Sequence, residues 1–72
     1  MRTFACFTFE HGASVPTLSF IMAEDEDRAR LLVRRELQAN ERALSVDVYE
    51  SNKMLWTERA EGPRRVAPGV PS

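Results

Sequence analysis

Seventy-two residues, 8.2 kDa in all, leave room for one domain. The last eleven, Gly62 to Ser72, hold three of the four prolines and two of the three glycines, so about sixty residues remain to build a core. A chain of that size buries only roughly 60% of the surface its unfolded form exposes, which excludes a multi-domain enzyme, a doubly wound cofactor domain or a deep private pocket.

With 43% apolar and 29% charged residues, the composition is that of a globular domain and not of a disordered chain. Its apolar runs fall far short of the ~20 residues that span a bilayer. No leader of charged then apolar residues opens the chain, and its single cysteine, Cys6, cannot form an internal disulfide. A cytoplasmic protein without membrane association is expected. Its stability must come from packing or from oligomerisation.

In chain order, Arg2–Phe9 alternates, is rich in Phe and Thr, and stops at Glu10-His11-Gly12, the pattern of a strand running into a loop. Thr17–Ala23 alternates again and should pair with it as a hairpin. From Glu24 to Asn40 the period changes. Ala29, Leu32, Val33, Leu37 and Asn40 fall on one stripe of a helix, with Asp25 as N-cap and Asn40 as its end. Glu36 intrudes on that stripe, and Leu31 lies on the polar side. Ala43–Glu50 is the clearest strand, with Leu44, Val46 and Val48 alternating against Ser45, Asp47 and Tyr49. Ser51-Asn52-Lys53 signals a turn and Met54–Glu58 a returning strand.

The net charge of −1 argues against general nucleic-acid affinity, yet the charge is polarised. Residues 1–27 set Arg2 against five acids, and residues 28–42 set five arginines against Glu36 and Glu41. Acids at the start of the helix and arginines along its body match the helix dipole. An arginine surface for an acidic partner is the other use of this block.

The outline is β-β-α-β-β, an α+β domain over residues 1–61 followed by a flexible Pro/Gly-containing tail over 62–72. A short chain can bury the helix stripe only against one face of a four-stranded sheet. Returning through the helix lets strand three pair antiparallel with strand one, giving the order 2-1-3-4. A right-handed crossover that sets strands two and three side by side and parallel is the alternative.

Register then fixes the faces. A two-residue turn at Ser51-Asn52 or Asn52-Lys53 puts Tyr49, Met54 and Trp56 on the face opposite Val46 and Val48. Pairing Phe9 with Thr17 groups Phe4, Cys6, Leu18, Phe20 and Met22 under the helix and sends Phe7 and Ile21 to the open face. The expected partner-binding residues are therefore Phe7, Ile21, Tyr49, Met54 and Trp56. An apolar open face of that size marks an interaction site. A single bulge would reverse the assignment.

The catalytic inventory is thin. His11 and Ser14 share a loop that offers neither an orienting carboxylate nor an oxyanion site. Cys6 sits mid-strand, where burial makes a thiol unreactive. One Cys and one His cannot complete a tetrahedral metal site, the run Glu24-Asp25-Glu26-Asp27 lacks the glycine and terminal glutamate of a calcium loop, and no Gly-rich phosphate loop is present. The sequence thus predicts a non-enzymatic interaction or regulatory module without cofactor or metal, forming a homodimer through its helix-free sheet face. A single-stranded nucleic-acid platform using the aromatics of that face is the alternative, disfavoured because Arg2 and Lys53 are its only basic neighbours. An accessory subunit of a larger complex is the third reading.

Overall fold

The computed structural model describes residues 1–60; the expected tail, 62–72, lies outside the described residues. The elements run β1 (Arg2–Glu10), β2 (Thr17–Ala23), α1 (Glu26–Ala39), β3 (Ala43–Glu50) and β4 (Lys53–Arg59). The sheet order is β2-β1-β3-β4 with every neighbouring pair antiparallel, the expected arrangement and not the parallel crossover.

Local chemistry sets the helix ends. Asp25 is extended, and its carboxylate accepts a 2.8 Å hydrogen bond from the Arg28 backbone N–H, satisfying one of the first-turn donors. Glu26 and Asp27 occupy the first turn, and Glu26 pairs with Arg30 at 3.2 Å. At the other end Asn40 leaves the helical conformation, and its side chain bridges two segments. Its amide donates to Glu10 at 2.8 Å and its carbonyl accepts from the Arg42 N–H at 3.1 Å. The stripe Ala29, Val33 and Leu37 is buried, Leu32 partly so, while Leu31 and Glu36 are exposed.

The helix covers one face of the sheet, and the core between them is built from Phe4, Cys6, Ala23, Val46, Val48 and Trp56. Phe4 and Trp56 meet edge to face at 6.4 Å. Arg30 lies 4.3 Å above the Trp56 ring, so a helix arginine closes the core instead of standing free. Arg34 reaches Glu58 at 3.3 Å, and Arg2 makes a bidentate pair with Glu50 at 2.8 and 2.7 Å.

Two irregularities correct the sequence-based faces. In the β3–β4 hairpin Glu50 pairs with Lys53 across a turn in which Ser51 and Asn52 both have positive φ, 52° and 67°, the signature of a type I′ turn. Tyr49 then pairs with Met54, but Val48 pairs with Trp56. Leu55 is the extra residue of a bulge, and it turns Trp56 toward the helix. A second bulge opposite Phe9/Glu10 makes Leu44 the extra residue of β3, so Ala43 is buried and Leu44 is 41% exposed.

The first hairpin differs by one residue from the expected pairing: Thr8, not Phe9, faces Thr17. That single step moves Leu18, Phe20 and Met22 to the open face and brings Ile21 to the helix side, where it packs on the core. The cause lies outside the hairpin. The end of β1 belongs to β3, with the His11 N–H donating to the Arg42 carbonyl at 2.8 Å and Ala13 N–H turning back to Glu10 at 3.1 Å. Gly12, at φ 84°, supplies the left-handed step of that turn.

Candidate functional site

The helix-free face is built from alternate residues of all four strands. β1 contributes Thr3, Ala5, Phe7 and Phe9; β2 contributes Leu18, Phe20 and Met22; β3 contributes Ser45, Asp47 and Tyr49; β4 contributes Met54, Thr57 and Arg59. Of the five residues expected to form a partner-binding face, Phe7, Tyr49 and Met54 lie here. Ile21 and Trp56 do not: Ile21 is half-buried against the core, and Trp56 is 8% exposed within it.

In their place stand side chains that the sequence assigned to the core. Phe20 is 64% exposed, Met22 61% and Leu18 50%, in one row along the edge strand β2. Phe9 and Met54 add exposed apolar surface at the periphery. An antiparallel sheet with a wet face ordinarily turns polar residues outward, and β2 does the reverse: Thr17 and Ser19 point to the helix side.

The face has relief. Ala5 lies in register between Phe20 on one side and Tyr49 on the other. It lines an open hollow of about 780 Å³ that Phe7, Phe20 and Tyr49 share with Thr3, Phe9, Leu18 and the Ser51-Asn52 turn. Phe7 and Tyr49 brace each other edge to face at 5.4 Å, so one wall is firm. Asp47 borders the hollow and is itself half-buried; its carboxylate accepts a hydrogen bond from Thr57 Oγ1 at 2.9 Å. Asp47 and Arg59 are the charged side chains that the strands give this face, so it is close to neutral.

Elsewhere the chemistry is sparse. His11 is exposed in the β1–β2 loop. Cys6 is a buried free thiol whose pKa is raised first by burial and then by the negative charge of Glu36, which keeps it protonated and unreactive. Among the described residues no group of three or more His, Cys, Asp or Glu side chains could hold a metal ion, and no helix is long and apolar enough to cross a membrane. The chain matches no protein-family model, no curated protein and no solved structure.

Proposed function

We propose that the protein is a non-enzymatic interaction module that self-associates by stacking its open sheet face on that of a second copy. The observation that carries this reading is the row Leu18, Phe20 and Met22, each at least half exposed beside the apolar pair Phe7 and Tyr49. A contiguous apolar patch on a small domain marks a contact surface. The domain is also short of core, and a second copy supplies the missing layer.

Size and charge fit the same occupant. Four strands about 4.8 Å apart and seven residues at about 3.3 Å each give a flat footprint of roughly 20 × 23 Å, which side-chain relief enlarges toward the scale of a small specific interface. One acid and one base on each face mean that two copies meet without net repulsion. The nucleic-acid reading is weaker here, because Trp56 is lost to the core as a stacking ring and Arg59 is the one basic side chain the strands offer beside the aromatics.

Sedimentation equilibrium at micromolar concentration tests this. Met54→Asp or Tyr49→Asp places a carboxylate on the face and should reduce the associated mass, whereas Leu31→Asp on the exposed side of the helix should not. Wild-type protein that sediments as a clean monomer, or face variants with unchanged association, would overturn the reading.

A further inference from the structure

The two edges of the sheet are built differently. β4 carries Lys53, Glu58 and Arg59 and is bent by the bulge at Leu55, the devices by which natural sheets discourage a further strand. β2 has none of them. Thr17–Ala23 is an uninterrupted seven-residue strand with no charge and no internal proline, hydrogen-bonded on one side only, to β1. Such an edge is a template for strand addition.

From this contrast we propose that β2 is a second self-association site, pairing antiparallel with β2 of another copy about a two-fold axis through Phe20. Charge favours a second copy as occupant: a strand without ionised side chains opposes itself with no like-charge pair. Register is fixed by parity. Keeping Leu18, Phe20 and Met22 on one face of a continuous sheet requires that a residue face its own copy, and overlap of all seven residues puts that residue at Phe20. Phe20 then meets Phe20, Leu18 meets Met22, and Ser19 meets Ile21. The product is an eight-stranded sheet with both helices on one side, and its remaining edges are the two guarded β4 strands. Together with face-to-face stacking this closes as a tetramer, although the edge contact rests on a separate observation and stands without the stack.

Oxidative cross-linking tests it. Directly opposed residues of an antiparallel pair have Cα atoms about 4.5–5.5 Å apart, within disulfide range. Phe20→Cys should therefore form a covalent dimer with itself, and Ser19→Cys mixed with differently tagged Ile21→Cys should form the mixed dimer. Ser19 and Ile21 point to the helix side, so a face-to-face stack cannot bring them together. Wild-type protein, with Cys6 buried, is the control. Absence of the Ser19–Ile21 cross-link overturns the proposal, even if Phe20→Cys reacts. Combined with Met54→Asp, the same assay separates the two contacts: cross-linking that persists while the mass falls from tetramer to dimer supports both. A fall in mass without cross-linking leaves only the stack, and cross-linking with unchanged mass leaves only the edge.

Discussion

Trp56 shows most plainly how one residue's role depends on its setting. On the sequence it is an aromatic in an alternating strand; in the fold it is the largest side chain of the core, held between Phe4 and Arg30. Its indole N–H is buried and has no hydrogen-bond partner among the described residues. Trp56→Ala should cost about 3–5 kcal/mol in denaturant unfolding. Trp56→Phe keeps much of the ring contact and removes the orphan donor, so it should cost no more than about 1 kcal/mol. A loss for Trp56→Phe clearly above about 1 kcal/mol would argue that the N–H does have a partner. Beside Phe4, over whose ring Arg2 lies at 5.1 Å, the hydrogen bond from Arg2 holds the Glu50 carboxyl below the usual carboxylate range; desolvation opposes this and the positive charge of Arg2 adds to it. A group with a lowered folded-state pKa stabilises the fold above its unfolded value, about 4.3 for glutamate, and that contribution fades as pH falls through the lower folded value. Wild type should therefore exceed Glu50→Gln in stability at neutral pH, and the two should converge in acid. A constant gap across that range would contradict the assignment.

Among the elements, the helix was the most legible. Asp25, the first-turn acids and the apolar stripe act within a few residues of one another, so their spacing alone defines start, end and buried face. The strands were legible as elements because alternation is local too. Their faces were less so. A hairpin face depends on whether the pairing contains an extra residue, and Leu55 and Leu44 look in sequence like any other strand leucine. The type I′ turn at Ser51-Asn52 offers a test at this scale. Ser51→Asn together with Asn52→Gly installs the residue pair that best tolerates positive φ at both positions, and it should raise stability by about 0.5–1 kcal/mol. No gain in the thermal midpoint would mean that the bulge, and not the turn, limits the hairpin.

At the scale of the whole molecule, a domain this small has one covered and one uncovered sheet face. If copies associate as proposed, association is linked to folding, and the thermal midpoint should rise with protein concentration. Wild type should show that rise, and Met54→Asp should show a smaller one that the edge contact alone sustains; a midpoint independent of concentration in wild type would argue that folding is complete in the monomer. By itself the sequence determined the elements and their order and the existence of an apolar open face, and favoured the 2-1-3-4 sheet over a parallel crossover, because these follow from periodicity, caps and the need of one helix stripe for one sheet face. Phe7, Tyr49 and Met54 were placed on that face for the same reason. The tertiary structure alone decided which further side chains occupy it. Trp56 and Ile21 went inward, and Leu18, Phe20 and Met22 outward, because a bulge at Leu55 and the capture of the end of β1 by β3 shift register by one residue, and one residue in a strand exchanges its two faces.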